Sequence, residues 1–364
     1  MSLPLPASSA RTRRLSWGDF LRRNLVPVIF LALSILSTIG AGKPADFIIA
    51  ELVNRLGRNC FIVMALIIPV IAGLGLNFAI VLGAMAGQAA LVMVTHWKLP
   101  GLGGFAIAAL ITVPIAAALG WFAGTVLNRA KGREMIASMI LGFFMNGVYQ
   151  LVFLYLVGTL IPLHNPSLLL PAGVGLRNTV DLKYVKYVLD YLVYPAPLGI
   201  GLPLVTFAVI ALLCLGIRWL LSTKLGQDMR AVGQDMNVAG VSGIHVDRTR
   251  ITAMVFSTVL AGLGQLIFLQ NIGTFNTYNS HEQVGTFAIA ALLVGGASVT
   301  RATIGQALLG TFLFHLLFIV SPYAGQRLLG SPQVGEYFRV FMAYAVICLA
   351  LALHAWQKRR RASG

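Results

Sequence analysis

The chain has 364 residues, of which 58% are apolar and only 10% charged. An ordinary soluble domain carries about 25% charged residues, so a water-soluble globule, a disordered chain and a coiled coil are all excluded. The net charge of +16, from 27 Lys and Arg against 11 Asp and Glu, would point to nucleic acid in a soluble protein; here its meaning lies in where the cations fall, and no nucleic-acid partner is expected.

In chain order, residues 1–24 form a basic segment that holds Trp17 and arginines 11, 13, 14, 22 and 23. A membrane region follows over 25–355, and 356–364 is a basic tail. Apolar stretches lie at 25–41, 60–76, 78–96, 102–127, 134–160, 198–221, 251–271, 285–299, 302–320 and 337–355. Each approaches the ~20 helical residues that cross a bilayer core. The fold class expected is all-α, a polytopic integral membrane protein with about ten transmembrane helices. The eighth stretch is too short to cross comfortably, and the chain breaks around Gly75 to Asn77. One or two segments are therefore expected to be short or re-entrant, which is tolerated only where protein or a water-filled cavity satisfies the backbone. The first stretch follows Arg22 and Arg23 as a signal peptide would, but it is long for a cleaved core and is read as a helix.

An even number of crossings puts both termini on one side. That side receives the five N-terminal arginines, the cations of NRAKGRE, those from Arg218 to Arg250, Arg301 and the KRRR tail. They outnumber the cations opposite, so both ends are expected to be cytoplasmic. Trp17, Trp121, Trp219 and Trp356 then fall near cytoplasmic interfaces and Trp97 near the outer one. Cys60, Cys214 and Cys348 each sit in apolar surroundings and read as reduced packing residues. An external insertion, about 161–197, contains LRNTVDLKYVKYVLDYLVY; it can form a short amphipathic helix on the membrane or against an extracytoplasmic partner, or serve as a plain connector.

A second insertion, about 222–250, is cytoplasmic and reads STKLGQDMRAVGQDMNVAGVSGIHVDRTR. Met229, Val232, Met236 and Ala239 recur at steps of three and four, predicting one short amphipathic helix. Gly226, Gly240 and Gly243 bracket it, and Arg248 and Arg250 open the next span. Its apolar face either covers the protein's own transmembrane ends or docks in a cytoplasmic partner, where Met side chains fill an irregular groove.

The run GQDMRAVGQDMNVAGVSGIHVDRTR, followed by FSTVLAGLGQLIFLQ, resembles the signature of permease subunits of ATP-binding-cassette importers in the ribose, simple-sugar, nucleoside and branched-chain amino-acid superfamily. Ala231–Gly233 matches its Ala-x-Gly, and Ala239 with Gly243–Val246 matches its Ala before Gly-Ile-x-Val. GLGLNFAIVLGAMAGQ resembles the Gly-x-x-Asn-x-Ala turn, EMIASMILGFFMNG the corresponding span of the nucleoside branch, and IAALLVGGASVTRATIGQALLG the Gly-Gly segment. The resemblance covers most of 45–355. Two departures weigh against a sugar permease within it: Leu76-Asn77-Phe78-Ala79 stands where those carry an acidic Gly-Ile-Asp-Leu-Ser, and Val299-Thr300-Arg301 where they carry a second Gly-Gly.

The resemblance implies a bacterial-type cytoplasmic (inner) membrane and membrane lipid around the chain. It further implies ABC ATPase subunits, a second permease copy or homologous permease, and an extracytoplasmic solute-binding protein. The loop carrying Gly226, Met229, Ala231, Val232, Gly233, Met236, Ala239, Gly243 and Ile244 is then the mechanical link to the ATPase, driving alternating access. No GxxxxGK followed by Ser or Thr occurs, so no phosphate-cradling loop is present. The chain is expected to be no enzyme and to bind no cofactor, with ATP and Mg in the partner subunits. No HExxH, GxSxG or His/Cys cluster suggests a catalytic or metal site.

The competing class is a secondary active transporter or channel working without an ATPase, which commonly uses intramembrane carboxylates. None lies near the middle of a span; Glu134 and Glu282 sit at ends, and His315 is the one central ionisable group, a packing residue or a proton relay. Uncharged polar groups within spans mark the expected translocation path: Asn77, Gln88, Asn146, Tyr149, Gln150, Gln265, Gln270 and Asn271. Asn146, Tyr149 and Gln150 share one helix face. Amides that donate and accept suit hydroxyls or a nucleobase edge, so a neutral simple sugar or nucleoside is the expected solute; the alternative role of each residue is an interhelical hydrogen bond. Gly83/Gly87 and Gly120/Gly124 are GxxxG helix-contact pairs.

Overall fold

The computed structural model describes residues 24–362 apart from 164, 172, 191, 192 and 197–199. Trp17 and the N-terminal arginines lie outside the described residues, as do the side chains from 353 onward, including Trp356 and the KRRR tail. The helices are α1 (Leu25–Ala41), α2 (Ala45–Ala65), α3 (Ile67–Ile71), a 3-10 turn (Phe78–Ile80) leading into α4 (Val81–His96), α5 (Gly101–Arg129), and α6 (Glu134–Leu151), which a π turn extends over Val152–Leu156. There follow α7 (Leu204–Ser222), α8 (Lys224–Gln234), α9 (Met236–Val241), α10 (Val246–Ile272), α11 (Ser280–Val294), α12 (Ile304–Leu329) and α13 (Pro332–Ala362). Two antiparallel ribbons complete the fold: β1 (Thr179–Asp181) pairs with β4 (Thr274–Asn276), and β2 (Val193–Ala196) with β3 (Ile200–Pro203).

The chain is thus a polytopic helical membrane protein. Every apolar stretch expected to cross contains a helix; among the described residues 7 helical stretches are long and apolar enough to span a bilayer, and Leu25–Ala41 is a shorter apolar helix. The second begins at Ala45 and not near residue 60, because Glu51 and Arg55 pair at 2.9 Å one turn apart and let the polar turns stay helical. Of the two readings of the 161–197 insertion, the amphipathic helix does not form among the described residues. Tyr187 adopts a left-handed φ of 55°, and Leu182, Tyr187 and Leu189 donate their amides across to Gly273, Gln270 and the Gln270 side chain. Val180, Leu182 and Val185 are buried in the bundle core, so the segment is a stitched-down cover.

Glycines set the packing of α10, the central helix. A Cβ on Gly83 of α4 would stand 2.3 Å from the Thr258 carbonyl oxygen, and one on Gly120 of α5 would stand 2.9 Å from the Val255 Cα. Gly87 and Gly124 meet the same helix one turn away. Both GxxxG pairs therefore admit α10 to backbone contact, the arrangement that dispersion between helices rewards where lipid supplies no hydrophobic drive.

Pro69, Pro114 and Pro322 fall within helical segments, and at the first and last the freed carbonyl is met from another helix. Pro69 has no N–H for the carbonyl of Ala65 four residues back; Ser257 of α10 donates its hydroxyl to that oxygen at 2.9 Å. Pro322 inside α12 leaves the Phe318 carbonyl free in the same way, and Arg339 of α13 donates to it at 3.0 Å while lying over the Phe318 ring. Glu336 pairs with that arginine. Substituting Gly83→Ala should cost ~1–3 kcal/mol of stability by overpacking, whereas Gly147→Ala, which meets open space, should fall within ~0.5 kcal/mol of the parent. Thermal unfolding of the purified chain in detergent separates the two.

Candidate translocation groove and coupling helices

The short helix α11 starts part-way along the bundle. Its first residues lie beside Gln88, well inside the span Phe78–His96, and beside Asn146 of α6. Asn146 is about 18 Å along the axis from Glu134 at 1.5 Å per residue. The β1–β4 ribbon carries the chain down to this depth, and Ser280 accepts the Asn276 amide at 2.8 Å where the helix opens. His281 and Glu282, terminal residues in sequence, thereby sit at mid-depth.

They close a polar ladder. Tyr149 donates to the Gln88 carbonyl at 2.7 Å, which also faces His281 Nδ1 at 3.2 Å. His281 Nε2 lies 2.9 Å from Asn146 Oδ1, whose amide donates in turn to Glu282. Gln150 reaches the same Asn146 oxygen at 3.5 Å. The Tyr149 ring packs against His281 at 4.5 Å. Gln88 and His281 are fully buried, while Glu282 borders an open groove of about 500 Å³ between α4, α6, α11 and α13, walled by Val81, Phe143 and Tyr344 and floored by Glu282, Gln283 and Thr286. The ladder runs from the bundle interior to that groove.

Four of the expected path residues therefore come together: Gln88, Asn146, Tyr149 and Gln150. Gln265 and Asn77 are buried with no hydrogen-bond partner on either side-chain polar atom. Gln270 and Asn271 belong elsewhere. Both donate to Asp190 Oδ2, at 2.9 and 2.8 Å, and Thr206 donates to Oδ1 at 2.6 Å. Their amides clamp the 182–190 segment to α10 instead of lining the groove, because the half-buried Asp190 carboxylate brings an acceptor that needs donors. Arg58 reaches the Asn271 carbonyl at 3.3 Å from the other side.

His281 and Glu282 are the functional candidates that sequence reasoning passed over. The signal for them is an Asn-Ser-His-Glu run opening an apolar stretch too short to cross, where a helix end need not lie at a membrane surface. His315 lies among the rings of Phe314 and Phe318 and takes no part in the ladder. Cys60 is buried and Cys214 lies 3.3 Å from the Met64 sulfur, but Cys348 is exposed on the groove and is not a packing residue.

The 222–250 insertion folds as two helices in place of one. Asp235, extended at φ −155°, ends α8 and caps α9 by accepting the amides of Asn237 and Val238 at 2.8 and 3.1 Å. Met229, Val232 and Ala239 all face inward and are buried, so of the two readings of this face, cover for the protein's own helices is the one the packing shows. Gly233 is required by proximity: a Cβ there would stand 2.0 Å from the Ile71 carbonyl oxygen, opposite Gly73 in its left-handed turn. Gly226 abuts the Leu220 carbonyl likewise. Met236 places its sulfur 2.6 Å from buried Arg250, which pairs with Glu134 at 2.6 Å. Ala231 is half-buried on α8, and Gly243 at φ 84° lets Ile244 return its amide to the Ala239 carbonyl, closing α9. What α9 offers outward is Val238 and Val241, 63% and 92% exposed.

Replacing Asp190 by Ala strands the donors of Thr206, Gln270 and Asn271 and should cost ~1–3 kcal/mol. The expected readout is faster trypsin cleavage after Lys183 and Lys186 in the folded chain, with Gln270→Ala giving a smaller effect.

Residues 60–351 match the family described as branched-chain amino acid transport system / permease component. The chain is 25% identical over 343 residues to the ribose import permease protein RbsC of Escherichia coli K12, covering 91% of this chain and 92% of that relative. It is 37% identical over 118 residues to the autoinducer 2 import system permease protein LsrC of Klebsiella pneumoniae. That stretch is 32% of this chain, and the chain spans 33% of that relative's length. The guanosine ABC transporter permease protein NupP of Bacillus subtilis is 26% identical over 208 residues, 56% of this chain and 54% of the relative. No solved structure matches. A match over most of the chain, with the 222–250 motif folded into α8 and α9, places this protein in the branched-chain amino acid transport system / permease component family, the ATP-binding-cassette importer permeases.

Proposed function

We propose that the chain forms one half of the path of an ATP-driven importer for a small polar solute of the simple-sugar or nucleoside class. A second permease, identical or homologous, supplies the facing wall. The observation that carries the reading is the ladder Gln88–His281–Asn146–Glu282, which opens onto a groove at mid-depth. Amide and carboxylate acceptors of this kind take hydroxyl and amino donors; two related permeases are named for ribose, which carries hydroxyls, and guanosine, which carries hydroxyls and an amino group. Glu282 also corrects the expectation of an uncharged path: a carboxylate on the groove disfavours anionic solutes.

In this reading both termini are cytoplasmic, so α8 and α9 meet the ATPase subunits, which hold ATP and Mg and carry out the hydrolysis. Val238 and Val241 are the docking face, and the outer cover over 157–203 faces the solute-binding protein. ATP-driven closure of the partners reorients the helices around the groove. Carboxylate and imidazole at mid-depth are also what an ATP-independent transporter would use, so uptake is the deciding measurement: a complex with a hydrolysis-dead ATPase should accumulate no solute, and persistent uptake would sink the proposal.

Val241→Glu puts a charge on the exposed face and should weaken ATPase co-purification by about tenfold or more, ~1.4 kcal/mol or greater, with the chain still folded. Ala239→Glu should instead destabilise the chain, since the site is buried. In the groove, a thiol reagent should modify Cys348 in the native chain, and solute should slow that labelling. Glu282→Gln should lower uptake while leaving ATPase assembly intact.

A further inference from the structure

Where α7 ends, α8 crosses and α12 begins, the structure holds a cavity of about 660 Å³. Arg218 of α7, Arg230 of α8 and Arg301 of the turn before α12 line it, and no Asp or Glu does. Among the described residues none of the three arginines has an acidic partner. Three exposed cations around one cavity repel each other, and an anion bound between them relieves that repulsion. Neutral donors converge on the same space. Ile304 and Gly305 open α12 and line the cavity; amides in a first helical turn have no helical acceptor and attract negative charge. Thr303 satisfies the Gln306 amide at 3.3 Å, leaving those first two for a ligand.

The flank of the cavity says what carries the anion. Leu212, Leu215 and Trp219 follow one another along one face of α7 and are the exposed large side chains beside Arg218. Such a strip on a spanning helix meets acyl chains, and a Trp at its end marks headgroup level. Guanidinium forks match phosphate oxygens in pairs. We propose that this cavity binds the phosphate of an acidic phospholipid, with the headgroup among Arg218, Arg230 and Arg301 and the acyl chains along α7. The site is separate from the groove and depends on the solute reading in no way beyond the chain's place in a membrane. Arg230 and Gly233 line it from α8, so the lipid braces the coupling helix against the bundle at the Gly233–Ile71 contact.

The test uses the full chain in detergent and reads thermal stability as phosphatidylglycerol, phosphatidylcholine or inorganic phosphate is added. Phosphatidylglycerol should protect the native chain and phosphatidylcholine should not. Each single Arg→Gln change at 218, 230 or 301 should weaken the apparent affinity for phosphatidylglycerol by about fivefold, the ~1 kcal/mol a cation contributes at a membrane surface. The triple Arg→Lys variant keeps the charge but loses the forks, and it should retain part of the response even if a triple Gln variant does not fold. Equal protection by inorganic phosphate alone would reassign the site to a free anion and overturn the lipid. Unchanged phosphatidylglycerol binding in all three single variants would overturn the site itself. If those variants bind phosphatidylglycerol normally but lose the ATPase subunits, the arginines belong to a protein contact and the proposal fails.

Discussion

A carbonyl freed inside the bundle core is costly unless a donor meets it, and at two of the proline breaks another helix supplies that donor. That constraint explains who touches whom. Pro69 frees the Ala65 carbonyl and Ser257 takes it; Pro322 frees the Phe318 carbonyl and Arg339 takes it. The two repairs tie α2 to α10 and α12 to α13, and of these α2, α12 and α13 pack against the short α11. Each break is thus also a junction, and a helix bent for function is held by the bond that compensates the bend. An unrepaired carbonyl would cost ~1–3 kcal/mol, comparable to the overpacking avoided at a single glycine of α4 or α5.

With the frame held in this way, α11 can begin inside it. A half-helix that starts at mid-depth presents its first turn, and not its flank, to the interior, so two consecutive residues can serve different surroundings. His281 turns into the bundle towards Gln88 and Asn146, while Glu282 turns to the groove. Both His281 nitrogens face carbonyl oxygens, Gln88 Oε1 and Asn146 Oδ1, and a neutral imidazole can donate to only one of them. Satisfying the second needs either a reversed amide or an added proton. The ladder is therefore set by hydrogen-bond accounting, with Glu282, which accepts from Asn146, at its exposed end.

Much of this was legible in the chain. Apolar stretches located the helices, the break at Gly75 to Asn77 is real, with Gly73 and Gly75 both left-handed, and the spacing of Gly83/Gly87 and Gly120/Gly124 marked backbone contacts. Asn146, Tyr149 and Gln150 were correctly placed on one face. The failures share one cause: depth is not written in a linear sequence. Glu282 read as an end because helix ends were equated with membrane surfaces, and Gln270 and Asn271 read as path because nothing near them in sequence announces Asp190 some eighty residues away. The amphipathic period of 222–250 was real but its direction was not given, since an inward apolar face and a docking face have the same pattern.

The direction matters for how the ends of the molecule communicate. Gly233 of α8 rests on Ile71 and Gly73, and the chain then passes through residues 74–77 to Phe78 and Val81, which wall the groove. Ser138 of α6 holds the Phe78 amide at 3.2 Å, so displacement of α8 on the proposed reading moves the groove wall and α6 together. In the middle of this short link sits Asn77, buried, with both side-chain polar atoms unsatisfied. A buried amide in that state costs free energy that any arrangement pairing it would recover. Asn77 is thus a place on the connection between α8 and the groove where a rearrangement would recover free energy, whereas the Arg250–Glu134 pair that ties α10 to α6 is already buried and paired.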